Sequence, residues 1–133
     1  MPQYRVSALT SAGTTTLPII SLYGGTTTRP KLREIHLFNT TSTAVSLKLV
    51  RLTTTGTQGA GLIEMPDIPE DPAAIATAFN THTVAPTITT GDLERWRLPA
   101  QDGAGLIVTF GALGIVVSSG TGQVVEATLV WEE

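Results

Sequence analysis

Two histidines and one acidic cluster are the residues of this chain whose chemistry could serve catalysis or metal binding. His36 and His82 lie on different predicted strands, and neither has a flanking carboxylate in a recurrent spacing. A serine or threonine nucleophile needs a histidine that a carboxylate orients, and only a meeting of distant residues in the fold could supply one here. We therefore predict no catalytic residues and expect that the protein is not an enzyme.

Carboxylates cluster on one predicted loop, at Glu64, Asp67, Glu70 and Asp71. Oxygen ligands on a loop suit calcium, but the spacing does not follow the D-x-[DN]-x-[DN]-G pattern of a calcium loop. The glycine-rich stretch 56–61 lacks the lysine and the following helix that a phosphate-binding loop requires. We predict a solvated loop or a contact surface at the carboxylates, with no metal and no cofactor.

Two further motifs have structural interpretations. The sequon at 39–41 would direct glycosylation in a secreted protein, but the first ten residues lack the basic and apolar regions of a secretory signal. Trp96 alternates with Arg95 and Arg97, so we predict that it faces the core together with Leu98. The two arginines are then free to meet a partner subunit.

The composition indicates a single all-β domain. The chain has 133 residues, near the commonest size of one domain, and 23 of them are threonine. The branched Cβ of threonine favours pleated strands over helices. We therefore predict one domain over residues 1–133, with residues 1–13 as an extended N-terminal arm.

About nine strands are predicted at intervals of about ten residues. They are Tyr4–Leu9, Leu17–Tyr23, Lys31–Asn39, Ala44–Thr53, Thr83–Thr89, Leu93–Leu98, Gly105–Phe110, Leu113–Ser118 and Gln123–Glu132. Turn residues at 40–42 and 120–122 predict hairpins. In the fourth strand Val50 and Leu52 are apolar on the opposite parity, which predicts a bulge or a strand end covered by a neighbour.

A long irregular segment separates the fourth and fifth predicted strands. Within it, Pro72–Phe79 is predicted to form one short helical turn, with Asp71 as its N-cap. The spacing of the strands favours an antiparallel two-sheet β-sandwich of jelly-roll type, and an immunoglobulin-like sandwich is the alternative.

Charge and cysteine content exclude several classes of protein. The net charge is -3, and the basic residues are scattered apart from Arg29, Lys31 and Arg33, so we expect no nucleic-acid partner. No apolar run approaches the ~18 residues of a membrane span, so we expect no membrane partner. The chain has no cysteine, which suits a reducing cytoplasm. Only 14% of the residues are charged, which favours a subunit of an assembly.

Four stretches resemble a family of small virion proteins of tailed bacteriophages, especially those that infect actinobacteria. These stretches, which together cover nearly the whole chain, are YRVSALTSAGTTTLPI, REIHLFNTTSTAVSLKLVRLTTTGTQGAG, ATAFNTHTVAPTI and TGQVVEATLVWEE. The resemblance implies a structural protein of the virion, assembled in the host cytoplasm. Within that setting we expect a capsid decoration protein that binds the major capsid lattice as a homotrimer.

The alternative is a tail-associated module that binds a receptor or a glycan, although seven aromatic residues offer little material for a sugar groove. The residues that we expect to contact a partner lie in the arm, in the acidic loop and near the start of the third strand. They are Tyr4, Arg5, Arg29, Lys31, Arg33, Glu64, Asp67, Glu70 and Asp71.

Overall fold

β-Strands dominate the fold. The computed structural model describes residues 2–25, 29–88, 91–98, 103–106, 113–120 and 122–133, and within these ranges there is no helix. The described strands are β1 (Gln3–Leu9), β2 (Ile20–Tyr23), β3 (Lys31–Asn39), β4 (Val45–Arg51), β5 (Thr57–Gln58), β6 (Met65–Pro66), β7 (Thr77–Phe79), β8 (His82–Val84), β9 (Glu94–Leu98), β10 (Gly103–Leu106), β11 (Leu113–Ser119) and β12 (Val125–Glu132). The all-β prediction is confirmed.

Ten of these strands form two antiparallel sheets. Hydrogen bonding orders the first sheet β10-β3-β12-β1-β6 and the second sheet β7-β2-β11-β4-β9, while β5 and β8 form a separate two-stranded sheet. Inward-facing side chains of both large sheets belong to one hydrophobic core. The arrangement is therefore sandwich-like, with two layers on a shared core.

Period-two alternation positions the core side chains, most clearly in β12. Its buried residues include Val125, Ala127, Leu129 and Trp131. Trp131 stacks on Tyr4 of β1, with the ring centroids 6.2 Å apart. Full burial of side chains of this size contributes about 1.5–3 kcal/mol each, so this pair fixes the register between β1 and β12.

Part of the second sheet is apolar on both faces. Every residue of β2 and the first five residues of β11 are buried. Its outer face carries a second cluster of Tyr23, Val50, Leu52 and Val116, against which Phe79 and Ile88 pack. Phe79 and Ile88 belong to the excursion, defined here as residues 53–88. For the apolar parity of Val50 and Leu52 the sequence predicted either a bulge or a strand end covered by a neighbour, and the structure shows the covered strand.

Two loops predicted as hairpins instead cross between the sheets. The loop at 40–42 leads from β3 of the first sheet to β4 of the second, and the loop at 120–122 leads from β11 to β12. Turn residues identify a reversal of the chain but not whether its flanking strands pair. At the first crossing the buried Asn39 shapes the loop, because its Nδ2 donates to the Thr43 carbonyl at 2.8 Å and its Oδ1 accepts from the Thr41 N–H at 3.0 Å.

The helical turn predicted at Pro72–Phe79 is not formed. The N–H groups of Ile75 and Ala76 donate to the Glu133 carboxylate at 2.7–3.1 Å, rather than to carbonyls of the same segment. The Ala78 N–H donates to Glu64 Oε1 at 2.9 Å. The end of the segment then pairs with β2 as β7. Long-range partners thus outcompete a helix of barely two turns, which is marginal on its own.

The N-terminal arm predicted for residues 1–13 is also corrected. From Gln3 onwards this segment is β1, which lies between β12 and β6 in the first sheet. After β1, the N–H groups of Thr10 and Gly13 donate to the carbonyls of Val125 and Gln123. Alternating burial along β1 explains the difference, because Tyr4 and Val6 contribute to the core.

The remaining predicted strands differ from the structure in their bounds. The strand predicted at Leu17 begins at Ile20, and the strand predicted at Thr83–Thr89 is shortened to His82–Val84. Of the strand predicted at Gly105–Phe110, the part beyond Leu106 lies outside the described residues. The other six agree to within two residues, and the short strands β5, β6 and β7 were not predicted.

The crossing at 120–122 supplies a test of the fold. Gly120 and Gly122 both have positive φ, 78° and 86°, but only at Gly120 would a Cβ atom meet backbone, 2.5 Å from the Ala44 carbonyl oxygen. We expect Gly122→Ala to lower the free energy of unfolding by about 1–2 kcal/mol through backbone strain alone. Gly120→Ala should cost about 3 kcal/mol or more. Urea denaturation measures both, and equal losses would contradict this crossing.

Candidate interaction surface

The outer face of the first sheet carries exposed side chains on β1, β3 and β12. The register places two rows of side chains across it, Ser7, Thr128 and His36 in one row and Leu9, Glu126 and Phe38 in the next. The hydroxyl groups of Ser7 and Thr128 share a hydrogen bond of 2.7 Å. Leu9 is 53% exposed and Phe38 is 43% exposed. This half of the face therefore offers hydroxyl groups flanked by two apolar side chains.

A shallow groove follows β1 and β12 on this face. It has a volume of about 430 Å³, and Ser7, Leu9, Glu126 and Thr128 contribute to its lining. The groove is open and has no titratable pair suited to catalysis, since Glu126 is its one ionisable residue. Its shape fits contact with another protein surface better than enclosure of a small ligand.

Ion pairs occupy the other half of the same face. Arg5 Nε lies 2.6 Å from Asp67 Oδ1, and Arg33 Nη2 lies 2.9 Å from Glu132 Oε2. Each arginine lowers the pKa of the carboxyl group that it contacts. Val130 is buried in this region, although β1 and β3 flank it with charged residues.

The acidic loop, residues 64–71, is fastened to the edge of the first sheet. Asp67 accepts hydrogen bonds from Arg5 and from Gln3 Nε2, and the Asp67 N–H donates to the Gln3 carbonyl. The Tyr4 hydroxyl donates to the carbonyl of Pro72 at 2.7 Å, just beyond the loop. Because these contacts already hold the loop in one conformation, binding to a partner would cost less conformational entropy.

The structure brings some of the predicted partner-binding residues together and separates others. Arg5 and Asp67 pair with each other. Tyr4 is buried in the core, so its assignment to a partner contact is corrected: the inward parity of β1 places its ring against Trp131. Arg29 and Lys31 are exposed, at and just before the start of β3, and Arg33 is half-buried. In the acidic loop Glu70 is exposed, Asp71 is half-buried and Glu64 binds the Ala78 N–H.

Several exposed apolar side chains were not identified from the sequence as candidates for partner contact. Ile63 is 84% exposed, Met65 61% and Ile68 58%. Phe38 was missed as well, although it shares the outward parity of His36 on β3. An apolar residue on the polar parity of a strand, or between acids in a loop, is the signal that identifies such positions.

The histidines occupy different environments. His36 is exposed on β3, with its Nε2 3.8 Å from Glu34 Oε1. His82 Nε2 and the Ser21 hydroxyl share a hydrogen bond of 3.0 Å, and burial lowers the pKa of His82. Ser21 is fully buried in β2, so its hydroxyl is not accessible to a substrate. The pair links the excursion to the second sheet.

The other candidate motifs have structural roles. Among the described residues no group of three or more His, Asp or Glu side chains is arranged to hold a metal ion. Gly56 has a φ of 59° in the turn before β5, so the glycine-rich stretch serves chain reversal. Trp96 is partly buried and packs against the core, as predicted. The described part of the chain contains no helix of the length and hydropathy needed to cross a membrane.

Comparison with known proteins gives no match: neither a family model, nor a curated protein, nor a solved structure is significantly similar to the chain. The site must therefore be interpreted from its own geometry.

The contact between Arg5 and Asp67 can be tested by pH. Because Arg5 lowers the pKa of Asp67, its stabilisation is present at neutral pH and lost as the pH falls below the ordinary carboxyl pKa of about 4. Asp67→Asn should lower the free energy of unfolding at pH 7 by about 1 kcal/mol, because the pair is partly exposed. At pH 2–3 the variant and the original protein should converge.

Glu70→Gln is the matched control, because Glu70 is an exposed acid of the same loop without a described ion pair. It should change the free energy of unfolding by less than about 0.5 kcal/mol at either pH. Chemical denaturation at both pH values measures the difference. Equal effects of the two substitutions would show that the loop is not held through Asp67.

Proposed function

We infer that the sandwich has jelly-roll topology. If the short strands β5 to β8 are set aside, each sheet contains four strands, ordered β10-β3-β12-β1 and β2-β11-β4-β9. Each successive long strand up to β4 lies in the opposite sheet from the one before; β9 stays in the sheet of β4, and the alternation resumes from β10 onwards. Two interleaved four-stranded sheets with this alternation are typical of a jelly roll, a fold common in virus capsid proteins.

We propose that the protein is a structural virion protein. More specifically, we propose a capsid decoration protein that binds the outside of a phage head. The resemblance of the four sequence stretches to phage virion proteins supports the setting. The observation that carries the proposal is the asymmetry of the two sheets. The excursion covers the apolar part of the outer face of the second sheet, at Val50 and Val116, whereas the outer face of the first sheet carries Leu9 and Phe38 in the open.

The composition of that face suits docking on a lattice. It combines exposed apolar side chains with hydroxyl groups and ion-paired charges, and protein interfaces have the same mixture of an apolar centre and a polar rim. Arg29 and Lys31 extend the face with unburied positive charge, which would favour an acidic shell.

The mechanism would be mass action. A protein that binds only the assembled shell stabilises it by RT ln(1 + [L]/Kd), and many copies multiply a modest affinity. No covalent bond is made or broken. The virion, assembled in the host cytoplasm, would be the location of the protein.

Removal and replacement of the protein test this function. Phage heads that lack the protein should lose infectivity faster on heating or osmotic shock, and added purified protein should restore their resistance. Leu9→Asp and Phe38→Asp, which place charge on the docking face, should weaken binding to heads at least about tenfold, because a charge buried at an interface is strongly unfavourable. Sedimentation of heads with labelled protein measures the binding.

Val84→Asp is the control, because Val84 is also exposed, at 56%, but lies on β8 of the excursion. It should bind heads as the original protein does. Heads of unchanged stability without the protein, or a copy number of a handful per particle, would contradict the decoration role, and the low copy number would favour the tail-associated alternative.

A further inference from the structure

The two lateral sides of the sandwich differ in their exposed charge. On one side, residues 61–75 contain the edge strand β6 and lead to the edge strand β7; they include Glu64, Asp67, Glu70 and Asp71 and no basic residue. On the other side the edge strands β9 and β10 contact each other; β9 exposes Arg95 and Arg97, while its Glu94 is half-buried, as is Asp92 just before it. We call residues 61–75 the acidic side and β9 the basic side.

Not all of these charges are neutralised within the chain. Asp67 pairs with Arg5, and Arg95 pairs with Asp92 at 2.6 Å. Glu70 and Arg97 are exposed and have no described ion pair, and the side chain of Arg95 remains 78% exposed although it is paired. Each side thus keeps charge available for a partner of the opposite sign.

Each side also exposes apolar surface next to the core. Four partly buried hydrophobic residues pack against the core cluster, Leu62 and Ala74 on the acidic side, Trp96 on β9 and Leu93 immediately before it. On the acidic side Ile63, Ile68 and Ile75 project further and are 51–84% exposed. Hydrogen bonds from Arg5 to Asp67 and from the Ile75 N–H to Glu133 hold this segment in place. Apolar side chains exposed to this extent on such a segment are typical of an interaction surface.

We propose that copies of this chain associate head to tail, with the acidic side of one copy packed against the basic side of the next. Ile63 and Ile68 contact the surface formed by Leu93 and Trp96, and Glu70 faces Arg97. β9 is the edge strand of the second sheet, and burial beneath a neighbouring copy protects it from uncontrolled strand pairing.

Charge selects this arrangement over a symmetric dimer. Two acidic sides placed together would oppose the carboxylates of one copy to those of the other, and two basic sides would do the same with arginines. The two surfaces lie on opposite sides of one sandwich, so a pair of copies cannot satisfy both contacts. A head-to-tail contact of this kind produces a ring of three or more copies if its rotation closes and an open chain of copies if it does not. The contact does not depend on what the assembly attaches to.

Two variants, each blocked on one side, test the proposal. Ile63→Asp blocks the acidic side and Arg97→Glu blocks the basic side, and both positions are exposed, so we expect both variants to fold. The original protein should form assemblies of three or more copies in analytical ultracentrifugation. Each variant alone should associate at least about tenfold more weakly.

The decisive experiment mixes the two variants. The intact basic side of the Ile63→Asp variant should bind the intact acidic side of the Arg97→Glu variant and give a 1:1 dimer that neither variant forms alone. Ile68→Asp should substitute for Ile63→Asp, and Val84→Asp should leave the assembly unchanged. A monomeric original protein, assemblies unaffected by either block, or a mixture without dimer would overturn the proposal, and none of these results bears on binding to phage heads.

Discussion

Part of the second sheet, at β2 and β11, is apolar on both faces, and the rest of the structure depends on covering it. A sheet with one apolar face is satisfied by one neighbouring layer, but here β2 and most of β11 bury side chains on both sides. The core between the sheets covers the inner face. The excursion covers the outer face through Phe79 and Ile88, and the Ser21–His82 hydrogen bond joins the two layers. Without this cover, the apolar surface of the second sheet would be open to water and to aggregation.

The same requirement explains why the acidic loop is held in one position. The excursion leaves the second sheet after β4, reaches the edge of the first sheet as β6 and returns to the second sheet as β7. Its path is held at the far edge by Arg5 and Asp67, and on the return by the carboxylate of Glu133, which accepts the N–H groups of Ile75 and Ala76. A segment that is needed as cover thereby also displays apolar and acidic side chains at one side of the sandwich, at little further cost in conformational entropy.

Alternation of apolar and polar residues was sufficient to predict the long strands, because it reports which face of a strand is buried. β3 was predicted with its observed bounds, and the opposite parity of Val50 and Leu52 indicated a bulge or a covered strand end, of which the structure shows the covered strand. Alternation does not report which strands pair, so the loops at 40–42 and 120–122 were interpreted as hairpins. Likewise, Arg5 and Asp67 were both predicted at the surface, but their contact joins residues 62 positions apart and has no local signal. Tyr4 was misassigned because the first residues were taken as an arm, although its parity with Val6 already indicated the core.

The central claim is that the outer face of the first sheet is the docking surface. Because the chain has no cysteine, a single introduced thiol reports the accessibility of one position. We would place cysteine at Ser7 on the docking face and, separately, at Val84 on the excursion, and compare the rates of maleimide labelling of free protein and of protein bound to heads. We predict that binding protects the thiol at position 7 at least tenfold and leaves the thiol at position 84 as reactive as in free protein. Equal labelling of the thiol at position 7 in the free and bound protein would contradict the claim.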